Sequence, residues 1–294
     1  MIIQENIAGT SGVKNTGSDK ENLPLFTVGY ALAKGSQSFA SVAAFKTKAA
    51  WDAAKLAKDL VILYSVEKAE LANVEPTFYE SRTRKIKTKD NVKGLKVTHH
   101  LGYISHSALE SYNASDYTYV YEFTSDGQVK GINQTDGTVK GQLLSDFLVG
   151  PILEPVLDGD PLSSVVEMTY ENPRELTTAG CIVTPEFNIL KYKGIYPIKL
   201  TIEGTPTLTE LKVRATYSNQ DLPLTGLDLT SFTGKVLKVD GTPQTPDSVT
   251  AGAGNDANLY TFVDADLETG TIETNVVEKT LAMFETDEAT VFTV

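Results

Sequence analysis

The sequence predicts a mainly β protein: a β-sandwich or barrel domain with one flanking helix and a long hairpin, followed by a second β-sandwich. Three observations predict it. The 294 residues are about twice the ~150 that serve as a prior for one domain. Threonine occurs 35 times, 19 of them after Tyr196, a density that suits strands better than helices. One turn pattern occurs twice, ten residues apart: Asp126-Gly127-Gln128-Val129-Lys130-Gly131 and Asp136-Gly137-Thr138-Val139-Lys140-Gly141.

From the start, residues 1–24 are rich in Gly, Ser, Asn and Thr and carry too little apolar surface to order themselves, so a flexible arm is expected. The opening has neither the pattern of a signal peptide nor that of a membrane anchor. Strands are expected at Leu25 to Ala33, Leu60 to Val66, Thr77 to Thr88, Leu95 to Leu101 and Tyr117 to Thr124. Asn91 to Gly94 is expected to be a hairpin turn. The clearest helix runs from Lys48 to Lys58, with Thr47 as N-cap and Trp51, Ala54, Leu56 and Ala57 as its apolar stripe. A shorter helix is expected at Ser105 to Tyr112.

Each Asp-Gly marks a tight hairpin turn, because glycine accepts the positive φ such turns demand. The repeat therefore predicts a β-meander from Tyr117 to about Phe147. A strand over Ser164 to Glu171, a turn or short helix over Asn172 to Gly180, and a strand over Ile182 to Leu190 complete the domain at 25–196. Composition shifts near Lys193 to Pro197. From residue 199 on there are 6 basic against 15 acidic residues, a net of −9, which leaves −3 for everything before. In 197–294 short strands recur at regular spacing: Ile198 to Ile202, Glu210 to Tyr217, Gly234 to Val239, Leu259 to Val263 and Gly270 to Val276. That spacing predicts a sandwich.

The net charge of −12 argues against a chain whose main task is to grip nucleic acid or anionic lipid. Chemistry is hard to find. One cysteine, Cys181, leaves no internal disulfide, and at the head of an apolar strand it is expected to be buried and inert. His99 and His100 fall on opposite faces of a strand, and with His106 they are read as structural or surface residues. Asp264-Ala265-Asp266-Leu267-Glu268 opens like a calcium loop but lacks its sixth-position glycine and twelfth-position glutamate. Asp158-Gly159-Asp160-Pro161 is a turn composition. Neither a phosphate loop nor a nucleophile elbow occurs. No catalytic, cofactor-binding or metal-ligating residue is assigned, and the chain is expected not to be an enzyme.

One segment stands out. Arg82, Arg84, Lys85, Lys87, Lys89, Lys93 and Lys96 face a single acid, Asp90, within fifteen residues. On a hairpin they form a basic finger on an acidic protein: an ordinary solvated hairpin is the first reading, and docking on an acidic surface of another copy the second. Nucleic-acid binding ranks lower, because base-stacking aromatics are not interleaved among the charges.

Two stretches are similar to known families. Phe45-Lys46-Thr47-Lys48-Ala49-Ala50-Trp51, the basic hairpin, and Tyr119-Val120-Tyr121-Glu122-Phe123-Thr124-Ser125-Asp126-Gly127 with the second Asp-Gly-Thr turn resemble tail-tube-like structural proteins of tailed bacteriophages. Leu211-Lys212-Val213-Arg214-Ala215-Thr216-Tyr217, Pro223-Leu224-Thr225-Gly226-Leu227, Asp240-Gly241-Thr242 and Leu259-Tyr260-Thr261-Phe262 resemble bacterial and phage immunoglobulin-like modules, with Tyr260 as the core aromatic of a late strand. The antibody cysteines and tryptophan are missing from that stretch. The resemblance implies a virion structural protein that assembles with itself into a ring or tube and contacts other virion proteins. DNA would be passing cargo, with no cofactor and no membrane. Arg82, Arg84, Lys85, Lys87, Lys89 and Lys93 would then be inter-subunit contacts. The rival reading is a head fibre, decoration or adhesin protein that binds through the immunoglobulin-like domain.

Overall fold

Strands make up 42% of the computed structural model and helices 15%. It describes residues 3–4, 25–63, 66–89, 91–156, 159, 161–218, 222–275, 277–279, 282–286 and 288–294. The chain divides into two compact units, Met1–Tyr192 and Lys193–Val294. Apart from Ile3–Gln4, the expected arm lies outside the described residues.

The first unit grows around the Asp-Gly repeat. Tyr119–Thr124, Val129–Asn133, Val139–Lys140 and Gln142–Val149 form the meander the turns predict. Gly127 and Gly137 have φ of 81° and 86°, the left-handed region in which a side chain is strained. The second glycine of each copy has a different reason. A Cβ on Gly141 would sit 2.8 Å from the Val120 carbonyl oxygen, and one on Gly131 2.9 Å from Val139 Cγ1. At Gly141 the ladder changes partner: Val139–Lys140 pairs with Val129–Asn133, whereas Gln142 and Leu143 pair with Val120 and Tyr119. That change of partner curls the sheet.

Thr27–Ala33 lies antiparallel on the other edge of Tyr119–Thr124, with Leu60–Ile62 beyond it. In the other direction the sheet continues through Gln142–Val149, Ser164–Tyr170, Gly94–His99 and Lys68–Leu71. Both faces of Tyr119–Thr124 are covered. Tyr30, Leu32, Val120, Val166 and Met168 belong to one buried cluster. On the opposite face Phe39, Phe45, Trp51 and Tyr121 pack with ring centroids 5.0–5.7 Å apart. Trp51 Nε1 donates to the Phe45 carbonyl at 2.7 Å.

Several expected elements change. Thr47 separates two helices, Val42–Lys46 and Lys48–Leu56, and its hydroxyl donates back to Ala44 O instead of capping the second. Ser41 caps the first, which the sequence reading lacked. The expected strand Ile182 to Leu190 ends at Val183. Pro185 cannot donate to a ladder, Glu186 N–H donates to Lys46 O, and Asn188 caps a 3₁₀ turn at Ile189–Lys191. The shorter helix is Tyr103–Glu110, and Glu175–Ala179 is helical.

The second unit is two sheets face to face. One carries Ser248–Ala251, Leu259–Val263, Glu210–Tyr217 and Ile195–Ile202, extended by a hairpin of Val277–Lys279 and Ala282–Thr286 whose second strand pairs in parallel with Ile195–Ile202. The other carries Pro243–Gln244, Val236–Lys238, Gly270–Ile272 and Thr290–Phe292. Set aside Pro243–Gln244 and the 277–286 hairpin, and seven strands remain among the described residues. The first, second, fourth and fifth form one sheet and the third, sixth and seventh the other, which is the division of immunoglobulin sandwiches. Ile198, Val213, Tyr260 and Phe262 meet Val236, Ile272 and Phe292 in the core. Tyr260 is fully buried; its hydroxyl donates to Leu224 O at 3.0 Å and accepts from Leu227 N–H at 3.2 Å. The strand expected at Gly270 to Val276 stops at Ile272, and residue 276 lies outside the described residues.

Candidate functional site: a basic finger on a polar root

The finger is a ribbon that leaves the body of the first unit and loses its backing as it goes. At its base Lys68–Leu71 pairs antiparallel with Gly94–His99 as part of the large sheet. A bridge between Val74 and Val92 carries the ladder outward. Beyond it Thr77–Glu80 and Lys85–Lys89 form a separate sheet of two strands.

The chain reverses at 81–84, where Ser81 N–H donates to Arg84 O at 2.8 Å and Arg84 N–H donates to Ser81 Oγ at 3.1 Å. This corrects two expectations. Thr77 to Thr88 is not one strand, because the tip lies inside it. Asn91 to Gly94 is not the turn but part of one arm. Gly94 is needed for close approach, since a Cβ there would lie 2.7 Å from the Ala72 carbonyl oxygen.

The structure separates the expected contact residues into two groups. Arg82 and Arg84 are exposed at the tip, and among the described residues neither is paired with a carboxylate. Lys85 pairs with Glu80 and lies 4.8 Å from the Phe78 ring centroid. Lys87 stands opposite Phe78 and borders a cleft of about 570 Å³ with Asn91, Tyr170 and Arg174. Lys89 stands opposite Thr77; its side chain lies outside the described residues. Between the cations, Phe78, Tyr79 and Ile86 expose 46%, 59% and 49% of their surface.

Lys93 does not belong to that surface. Its ammonium bonds Gln142 Oε1 at 3.3 Å and lies 4.5 Å from the Tyr170 ring centroid. Burial and the nearby Lys130 hold it below the usual lysine range, against the pull of Glu122 and Glu175. It roots the finger in a buried network centred on Glu122. Glu122 Oε1 accepts from Tyr170 Oη at 2.6 Å and Gln142 Nε2 at 3.0 Å, and Oε2 accepts from Thr27 Oγ1 at 2.7 Å and Lys130 Nζ at 2.8 Å. Burial pushes this carboxyl up, but the Lys130 charge and the bonds from Lys130, Tyr170 and Thr27 outweigh it and bring it to about 2. With two donors on each oxygen, Glu122 has no lone pair aimed at a substrate or a metal; it holds strands together. Lys96, at the base, pairs with Glu167 at 3.3 Å.

The other candidates are also structural in their contacts. All three histidines gather on one dipeptide: His106 Nδ1 lies 2.8 Å from Ser164 Oγ, His100 Nδ1 3.2 Å from Ser163 Oγ, and His99 pairs across the ladder with Ser164 while its Nε2 meets Tyr30 Oη at 2.9 Å. Ser164 is fully buried, so its hydroxyl is out of a substrate's reach. Cys181 is buried and its thiol pushed up to about 11. Asp264 Oδ1 accepts from Asp266 N–H in a tight turn. Asp158 and Asp160 lie outside the described residues. Among the described residues no cluster of three or more His, Cys, Asp or Glu could hold a metal, and no helix is long and apolar enough to cross a membrane.

The sequence reading missed Glu122 and its donors. The signal was a carboxylate inside Tyr119-Val120-Tyr121-Glu122-Phe123, a run apolar on both faces, with Lys130 directly across the turn. Compared with known proteins, the chain matches no protein-family model and no curated sequence.

Proposed function

We propose that this chain is a structural subunit of a tailed-bacteriophage virion, a tail-tube-like or ring-forming protein that assembles with itself, without turnover or cofactor, into part of the conduit for DNA. The observation that carries the reading is the finger: a two-stranded ribbon with two exposed arginines at its tip and three large apolar side chains uncovered. An isolated two-stranded ribbon is marginally stable in water. Docking on another subunit would cover its apolar side chains and neutralise its tip.

Charge supports the same reading. A ring needs one face of each subunit to meet a different face of the next. A basic projection on a chain of net charge −12 suits such a contact, and the acidic balance would repel DNA phosphates moving past. The immunoglobulin-like sandwich following the first unit fits the arrangement that the resemblance implies.

Light scattering across protein concentrations, paired with negative-stain images, tests this reading. Rings or tubes of uniform width are the expected result. A strict monomer at every concentration would overturn it in favour of a decoration or fibre protein.

A further inference from the structure

The second unit carries an uncovered apolar cleft with acids on its rim. Two turns frame it. In one, Asp264 N–H donates to Thr209 O at 3.2 Å and Leu267 N–H to Leu208 O at 2.8 Å. The other is a third Asp-Gly turn, where Gly241 has φ of 83° and its N–H donates to Lys238 O at 2.9 Å. Leu208, Val239, Leu267 and Val294 line the cleft of about 450 Å³ between them, a volume within the range of ligand clefts. Val239 is 80% exposed and Leu208 64%. Turn corners favour Asp, Asn, Gly, Pro and Ser, so a valine left in water at one has no local reason.

The rim is acidic, in a stretch whose net charge from residue 199 on is −9. Glu268 pairs with Lys238, which leaves Asp240 and Asp266 as the charge the rim presents. The Glu268 bond first, against a cost of desolvation, and then the nearby Asp240 and Asp266 charges hold the Lys238 ammonium above its ordinary range.

The finger of the first unit is the complement. Tyr79 and Ile86 stand directly opposite each other in its ladder and so share one uncovered face. Phe78 and Lys87 share the other, with the Lys85 ammonium near the Phe78 ring. Arg82 and Arg84 are exposed at the tip. One surface is apolar with a cationic end, the other apolar with an anionic rim, and both stand uncovered. A second copy therefore supplies the fit without a third component.

We infer that the acid-rimmed cleft of the second unit is the receptor for the finger of another copy of this chain, Tyr79 and Ile86 covering Leu208 and Val239 while Arg82 and Arg84 meet Asp240 and Asp266. Two different surfaces then join at each contact, the head-to-tail kind that a ring requires. This inference rests on the self-assembly reading and names the surfaces through which neighbours meet.

Charge exchange in the full chain tests it. Arg82→Glu/Arg84→Glu and Asp240→Arg/Asp266→Arg are made separately and together; all four side chains are exposed, so the fold tolerates them. By light scattering, each pair alone is expected to weaken self-association about tenfold or more, and the four changes in one chain to restore it. An equimolar mixture of the two pair variants is also expected to associate, because each finger then meets a cleft of opposite charge. A cleft variant that assembles as the native chain does, or four changes that restore nothing, overturns the docking and leaves self-assembly standing. A native chain that stays monomeric removes both. Photoreactive p-benzoylphenylalanine in place of Tyr79 reads the contact itself. In a mixture of isotope-labelled and unlabelled chains, mixed-mass cross-links to peptides containing 238–241 or 267–269 are expected, and links only within single chains overturn the second copy as the donor.

Discussion

The meander Tyr119–Val149 and the ribbon Lys68–His99 belong to the same unit; the base of the ribbon continues the meander's sheet, and its outer half is a separate sheet of two strands. The meander reverses at Gly127 and Gly137, both at positive φ, and buries Val120, Tyr121, Phe123, Val129 and Val139. The ribbon reverses at Ser81–Arg84 without glycine, and its outer half leaves Phe78, Tyr79 and Ile86 in the open. In the meander, register is set by packing, since a slip of one residue would move Tyr121 and Phe123 to the wrong face. In the ribbon it is set by ladder bonds, the serine at the tip and the Lys85–Glu80 pair, all in contact with water. The difference teaches where each part gets its stability. The meander carries its own in a packed core; the outer half of the finger has only its ladder and its exposed side chains.

The largest break in the comparison comes from the aromatic core behind the meander. Trp51→Ala removes the ring that Phe39, Phe45 and Tyr121 pack on, and urea unfolding at neutral pH is expected to show a loss of about 3–5 kcal/mol.

Glu122→Gln follows. Holding this carboxyl at about 2, against an ordinary value of 4.5, corresponds to about 3 kcal/mol. Because the folded value is depressed, that stabilisation is fully present above pH 4.5 and is lost as pH falls toward 2. Thermal melts from pH 7 to pH 2 are expected to decline through that window in the native chain. The variant, already weakened at pH 7, is expected to lack this component; an unchanged slope would mean Glu122 is not the group responsible.

A smaller effect is expected at the turns. Gly137→Ala meets no atom within 4 Å, so its cost is the positive φ alone, about 1–2 kcal/mol by chemical denaturation.

The smallest effect on stability sharpens the contrast most. Replacing Arg82, Arg84, Lys85 and Lys87 together by Ser is expected to change unfolding free energy by less than about 0.5 kcal/mol, since all four are exposed. Self-association read by light scattering is expected to be lost. A variant that assembles as before would show that the finger is an ordinary solvated hairpin.

How far the sequence was legible follows the same division. The Asp-Gly turns announced the meander because their backbone requirement is local, and regular strand spacing announced the second sandwich for a similar reason. The finger's cations were equally visible. Its turn was misplaced because Asn91 to Gly94 has turn composition, whereas the real tip is closed by a serine hydroxyl and Gly94 answers to a neighbour, Ala72, that only the fold brings near. The Glu122 network lay out of reach for the same reason: Thr27 and Tyr170 are 95 and 48 residues away. Lys93 was grouped with the finger by proximity in sequence, and only the register of Gly94–His99 beside Ser164–Tyr170 turns it toward the body.

That network also bears on the order in which the unit forms. Thr27, Glu122, Lys130, Gln142 and Tyr170 come from five different strands, and no hairpin alone brings more than two of them together. A carboxylate buried with half its donors missing is costlier than one left in water, so the site rewards the chain only when all five strands are in place. Contacts of such long sequence separation close late in folding. In stopped-flow experiments Glu122→Gln is then expected to speed unfolding far more than it slows folding. The carboxylate acts as a latch that engages last, and it sets how long the finished unit stays closed more than how fast it is made.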